Sequence, residues 1–328
     1  MKNEFKKINA IFASVFVAIS IFSIIFCISC NQKKLESQNS KELKIVTTAF
    51  PFYDWTKNII GDSNGIKVDF LMTKGSDPHS FQPGVEELAK VSEADLFIFA
   101  GGESDDWAKD AIKNSVNKNQ NQLNLLSSLG ALAKEEENFE GEEESCTEEK
   151  EFDEHIWLSL KNADFLCKII AKKICELDPN NKETYEKNLE SYSKKLCELD
   201  NEYAQLCGTS KNHAVLFGDR FPFMYLMKDY GIDYFAAFSG CSAESEASFE
   251  TIIKLALKID ELSLKSILTL ENSDKKIAES IKSNTKSKNQ KILTLDSMQS
   301  ITKKELEEGI TYLVIMKKNL EVLKTALN

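Results

Sequence analysis

The sequence predicts an α/β protein of two lobes, each a roughly four-stranded parallel sheet flanked by helices, joined by one long helix. Three observations carry this. At 328 residues the chain exceeds one ordinary domain. Short apolar runs alternate with amphipathic stretches in two separate sets. Between the sets lies a single extended helical stripe.

The first set of strands is expected at Leu43–Ala49, Ile66–Met72, Asp95–Ala100 and Gln122–Leu126. The second is expected at His213–Phe217, Tyr234–Phe238, Ser266–Leu270 and Lys291–Leu295, with helical patterns between its members. Lys161–Leu177 is helical in period, and Asp178-Pro179-Asn180 breaks it. From Asn181 to Leu206 the spacing of Tyr185, Leu189, Tyr192, Leu196, Leu199 and Tyr203 gives one buried stripe. A helix of about 26 residues spans roughly 39 Å, enough to cross between lobes. The expected division is 43–178 for the first lobe, 179–210 for the linking helix and 211–328 for the second lobe.

Ahead of the first strand the chain reads as an export signal over residues 1–29. Lys2, Lys6 and Lys7 precede an apolar run from Ile8 to Ile28. Cys27-Ile28-Ser29-Cys30 and a polar tether to residue 42 resemble a lipoprotein processing site, with Cys30 the acylated residue; a transmembrane anchor is the alternative. Cys146, Cys167, Cys175, Cys197, Cys207 and Cys241 form no CxxC pair. Most are expected to be reduced packing residues, since those on one helix lie too far apart along its axis to bridge.

The formal net charge of −11 disfavours nucleic acid, which needs clustered Lys and Arg, and suits a cationic ligand. Glu135 to Glu154 concentrates that charge, with eleven Glu and one Asp and only Phe139 and Phe152 as large apolar residues. Such a segment cannot bury enough surface to fold alone. It is expected to be a mobile acidic loop, either a plain solvated insertion or an electrostatic collector of cations.

Only three histidines exist. His79 follows the second expected strand in Gly75-Ser76-Asp77-Pro78-His79-Ser80-Phe81-Gln82-Pro83. His155 follows the acidic stretch in Asp153-Glu154-His155-Ile156-Trp157-Leu158. Binding crevices of open α/β sheets lie beyond the carboxyl ends of the strands, so both fall on the functional side. His213 lies within a strand and reads as a structural or edge residue. The second lobe offers Asp219, Glu271 and Asp296 at equivalent strand ends, where carboxylates also serve as caps and turns. Imidazole with carboxylate suits Zn²⁺, and also Mn²⁺.

These segments resemble the metal-specific, zinc or manganese, solute-binding lipoproteins of ABC importers. Thr47-Thr48-Ala49-Phe50-Pro51, the Asp-Pro-His-Ser-Phe segment, Ser92-Glu93-Ala94-Asp95-Leu96, the acid-His-Ile-Trp-Leu segment, Tyr230-Gly231 and Glu244-Ser245-Glu246-Ala247-Ser248 after Gly240 match in order. The resemblance runs from about Leu43 to the end of the chain. It implies a metal held in the cleft between lobes by His79 and His155, with one ligand near Asp219 and a carboxylate near Asp296. It further implies Zn²⁺, or Mn²⁺, as transported ligand, a permease with its ATPase as partners, and an exported location on a lipid anchor. The chain departs from the family where a third His is usual: Phe217-Gly218-Asp219-Arg220-Phe221 places Arg220 there, and a guanidinium cannot coordinate a cation. Asp219 is the expected substitute, giving a ligand set of His79, His155, Asp219 and Asp296. The rival readings are a surface adhesin and a zinc hydrolase; against the latter, no His-Glu-x-x-His or Gly-x-Ser-x-Gly motif is present.

Overall fold

The structure, a computed structural model, describes residues 42–137, 151–240 and 247–328. The expected anchor at Cys30 and most of the acidic stretch lie outside the described residues. Strands β1 (Leu43–Thr47), β2 (Ile66–Phe70), β3 (Leu96–Phe99) and β4 (Asn121–Asn124) pair in parallel in the order β2-β1-β3-β4. All four residues of β3 are buried, as a strand covered by helices on both faces requires. β4 closes the edge and buries only Leu123.

Four helices accompany this sheet: α1 (Phe50–Ile60), α2 (Val85–Glu93), α3 (Asp106–Lys113) and α4 (Leu125–Leu129). Pro51 opens α1, where its missing N–H costs nothing, and Gly61 at φ +58° ends it. Phe50, Phe52, Trp55 and Ile59 of α1 are fully buried. Helix α5 (Leu160–Leu177) starts at Ser159, whose side chain accepts from Asn162 N–H, and stops at Asp178-Pro179.

The linking helix α6 (Lys182–Thr209) has 28 residues and a length of about 42 Å. Its expected stripe is the buried face: Tyr185, Tyr192, Leu196, Leu199 and Tyr203 are buried, and Leu189 is packed against the same core. Polar tips along the stripe are also used. Tyr192 Oη donates to Asp54 Oδ2 of α1 at 3.2 Å, and Tyr203 Oη donates to the Met316 carbonyl at 2.6 Å. One helix is thereby fastened to both halves of the chain.

The second sheet, β5 (Ala214–Phe221), β6 (Asp233–Ser239), β7 (Ser266–Thr269) and β8 (Lys291–Thr294), is parallel in the order β6-β5-β7-β8. Helices α7 (Met224–Tyr230), α8 (Phe249–Leu262), α9 (Lys276–Asn284), α10 (Lys303–Glu307) and α11 (Tyr312–Ala326) complete this half. The β5–β6 register shifts between Phe217 and Arg220. At the shift, a Cβ on Gly218 would stand 2.6 Å from Ala278 Cα, so glycine is what lets α9 pack on the strand.

One core runs from the first sheet through α5 and α6 to the inner face of the second; a smaller one lies beneath α8 and α9. The halves are also joined by hydrogen bonds, the Trp157 side chain donating from Nε1 to the Ser297 carbonyl at 2.9 Å and the Lys303 backbone N–H donating to the Thr73 carbonyl at 2.8 Å. Cys167, Cys175, Cys197 and Cys207 are free thiols.

Candidate metal centre

His79 sits in a single helical turn, Pro78–Ser80, built by its own sequence. Asp77 Oδ1 accepts from His79 N–H at 3.0 Å, and Pro78 presets the first φ of the turn. The other Asp77 oxygen pairs with Arg220 of β5 in the opposite lobe. Burial alone would raise the Asp77 carboxyl, but the Arg220 guanidinium outweighs it and holds the group below the usual carboxylate range. On the far side of the ring, His79 Nδ1 is 2.8 Å from Ser104 Oγ. Ser104 N–H in turn donates to Glu154 Oε1 at 2.9 Å. Gly102, at φ +87°, is required for that contact, because a Cβ there would meet Glu154 Oε1 at 2.5 Å.

His155 is wholly buried. Asp153 Oδ1 accepts from its backbone N–H at 2.7 Å and faces its Nδ1 at 2.8 Å, which assigns the ring proton to Nδ1 and leaves a lone pair on Nε2. The Trp157 ring packs edge-on, 5.4 Å between centroids, and Gly240 presses from the second lobe: a Cβ there would stand 2.9 Å from His155 Cε1. Burial acts to lower the His155 pKa, but the Asp153 carboxylate outweighs it and the net shift is upward. His79, by contrast, is pushed down, by burial first and then by His155. The two Nε2 atoms converge at 3.1 Å.

That distance is informative. Two donors at about 2.0–2.1 Å from one tetrahedral ion lie about 3.3 Å apart. Each imidazole is oriented through its other nitrogen by a fixed oxygen, the arrangement that metal-ligating histidines use.

From the second lobe, Gln299 reaches into the pair, its Nε2 2.9 Å from His155 Nε2 and 3.2 Å from His79 Nε2. Asp219, at the β5 register shift, accepts from Arg220 N–H at 2.9 Å and Leu270 N–H at 3.2 Å. Asp296 Oδ1 accepts from Met298 N–H at 2.8 Å. Its carboxyl is pushed up to about 7 by burial and by neighbouring Glu271. Glu271 itself gathers Ser297 N–H, Ser297 Oγ and Gln299 N–H. The structure thus brings His79 and His155 together; among the described residues, no third His, Cys, Asp or Glu joins them into a metal-sized group. His213 is exposed and lies one residue before β5 rather than within it.

Sequence reasoning missed three contributors: Ser104, Asp153 and Gln299. The acid two residues before His155 was a signal for Asp153, hidden among many acids. Nothing in the sequence around Gln299 pointed to it, because only the fold carries the loop after β8 to the histidines.

Ser104 after β3, Gly240 after β6, Glu271 after β7, and Asp296 and Gln299 after β8 follow the carboxyl ends of parallel strands, the crevice side of open α/β sheets, and His79 in the connection after β2 and His155 meet them there. A two-lobed α/β fold with a histidine pair in that crevice has the architecture of a two-lobed binding protein, and the pair offers two nitrogen donors at a spacing that suits one metal cation. The family model described as zinc-uptake complex component A, periplasmic, or ZnuA, matches residues 45–326, and the chain belongs to that family. It is similar to the high-affinity zinc uptake system protein ZnuA of Bacillus subtilis strain 168, 29% identical over 98% of each chain. It is also similar to the zinc-binding lipoprotein AdcA of Streptococcus pneumoniae strain R6, 30% identical over 97% of this chain; this chain spans only 60% of that relative's length. Among solved structures it resembles the Zn(II)-bound ZnuA-like domain of Streptococcus pneumoniae AdcA, with a TM-score of 0.69 and 28% identity over 87% of this chain and 99% of that one.

Proposed function

We propose that this protein is the extracytoplasmic binding component of an ABC importer. It captures Zn²⁺ in the cleft between its lobes and delivers it to a membrane permease driven by an ATPase. The observation that carries the reading is the pair of imidazole Nε2 atoms 3.1 Å apart, each ring oriented from behind, His155 by Asp153 and His79 by Ser104. Relatives named for zinc binding and zinc uptake support the choice of cargo.

His79 and His155 are the first ligands in this reading. Of the carboxylates, Asp296 has one oxygen engaged by an amide, whereas both oxygens of Asp219 accept one each, so Asp219 is held more firmly in place. Asp296 is therefore the more readily recruited. The donor set mixes nitrogen and oxygen, so Mn²⁺ is accepted, more weakly than Zn²⁺. Acylation at Cys30 after cleavage of the export signal keeps the protein at the outer membrane face beside its permease.

Metal-stripped protein titrated with Zn²⁺ and Mn²⁺ tests the class and the ligand together. One tight site, preferring Zn²⁺, is the expected result; no uptake of either metal would overturn the reading. For the anchor, Cys30→Ala is expected to leave the precursor uncleaved and without acyl label, and normal labelling of that variant would refute lipidation.

A further inference from the structure

The two described ends of the acidic stretch, residues 134–137 and 151–153, run antiparallel and are bridged at Glu135 and Phe152. In such a ladder the opposed residues on either side of the bridge exchange two N–H···O bonds. Lys134 and Asp153 make one of them directly, Asp153 N–H to the Lys134 carbonyl at 3.0 Å. The other is relayed by the hydroxyl of Tyr225, which accepts from Lys134 N–H at 3.0 Å and donates to the Asp153 carbonyl at 3.1 Å. Tyr225 belongs to α7 of the second lobe and is 1% exposed. Burial pushes its phenol above the usual range, so the proton that it donates stays in place. The same helix holds the ladder again one turn on: Lys228 forms an ion pair with Glu137, which also accepts from Tyr234 Oη of β6.

We propose that Tyr225 is a positioning residue for the metal: its hydroxyl, set between the two backbones, holds Asp153 in place and through Asp153 aims the His155 ring. The inference rests on the metal-binding reading above and deepens it. Asp153 carries the connection because its backbone and its carboxylate serve different partners. Its carbonyl accepts from Tyr225 and its N–H donates to Lys134, so the residue is fixed on both sides. Its Oδ1 accepts from His155 N–H and faces His155 Nδ1. An imidazole held in this way keeps the Nε2 lone pair pointed at one place, which is what a ligand to a cation needs. A side chain of the second lobe thereby sets a ligand of the first, and a shift of α7 is passed to His155 through one oxygen. Without that oxygen, Lys134 N–H and the Asp153 carbonyl stay hydrogen-bonded only by closing on each other, and the closure draws Asp153 away from its register with the ring.

Tyr225→Phe tests this by removing one oxygen and keeping the ring. Zn²⁺ affinity by chelator competition, and the rate of Zn²⁺ release to excess chelator, are measured for wild type, Tyr225→Phe, Asp153→Asn and the double variant. Tyr225→Phe is expected to bind about tenfold more weakly, within the range for outer partners of ligating histidines, and to show the loss mainly as faster release. In the double variant the two losses are expected not to add, because Tyr225 acts through Asp153. A tyrosine with a merely structural role would lower the melting temperature of the metal-free protein and leave the two losses to add in full, and that result would overturn the proposal. So would wild-type affinity and release in Tyr225→Phe. Lys228→Ala, which loosens the same ladder from α7 at a half-exposed ion pair, serves should the phenylalanine variant fold poorly: faster Zn²⁺ release supports the proposal, and unchanged release overturns it. A wild type that binds no Zn²⁺ overturns the metal-binding reading and the proposal with it.

Discussion

Each imidazole in the cleft is set through its Nδ1 by a neighbour on the side away from the paired Nε2 atoms, and the consequences are measurable one side chain at a time. Asp153→Asn keeps the shape beside His155 but removes the carboxylate that faces its Nδ1, and it is expected to weaken Zn²⁺ about 10–100-fold, as for other oxygen partners of ligating histidines. A chelator-competition titration reads this directly, and an unchanged affinity would show that the ring needs no such support. A second residue tests electrostatics away from the site. Burial pushes the Asp54 carboxyl from 3.8 up to about 6, against the hydrogen bonds it accepts. The fold favours the protonated form, so this contribution to stability is fully present below pH 3.8 and is lost as pH rises through about 6. The ionised native protein is thereby destabilised by about 3 kcal/mol, an order-of-magnitude figure. Asp54→Asn is expected to stabilise the protein at pH 7.5 relative to pH 5, measured by urea unfolding at both. Parallel losses in variant and wild type would contradict the assignment.

At the scale of elements, the acidic stretch offers the clearest experiment. Its two described ends pair antiparallel, Glu136 N–H to the Glu151 carbonyl at 2.9 Å and Asp153 N–H to the Lys134 carbonyl at 3.0 Å, and of the described carboxylates Asp153, Glu154 and Glu136 act on His155. Deleting residues 138–150 and closing the ladder with a short turn is expected to slow Zn²⁺ capture at low salt and to leave the equilibrium affinity within about tenfold, because screened long-range attraction acts mainly on association. A loss of several orders in affinity would instead make the segment a source of ligands. The elements themselves were largely legible in the sequence. Runs such as Leu96–Phe99 bury every side chain, and the tyrosine and leucine stripe of α6 repeats at helical spacing, so local pattern and burial agree. The shift within β5 was not legible. It depends on Gly218 meeting α9, a contact between segments some sixty residues apart that leaves no periodic trace.

Across the whole molecule, the site was half legible for the same reason. His79 and His155 announced themselves by rarity and by their Asp-Pro-His and Asp-Glu-His settings, whereas the second lobe's contribution depends on how two sheets and a 28-residue helix bring the loop after β8 to the first lobe. Because α6 is fastened by Tyr192 to α1 and by Tyr203 to α11, the cleft is held by packed helices rather than by a loose hinge. Cargo bound between such lobes stabilises the native chain against unfolding by mass action, about 2.7 kcal/mol at a hundredfold excess over the dissociation constant. The most direct test of the account is calorimetric titration of metal-stripped protein with Zn²⁺, wild type beside the double variant His79→Ala, His155→Ala. One tight site in the wild type and none in the variant is the expected result; a variant that binds Zn²⁺ as tightly as the wild type would contradict it.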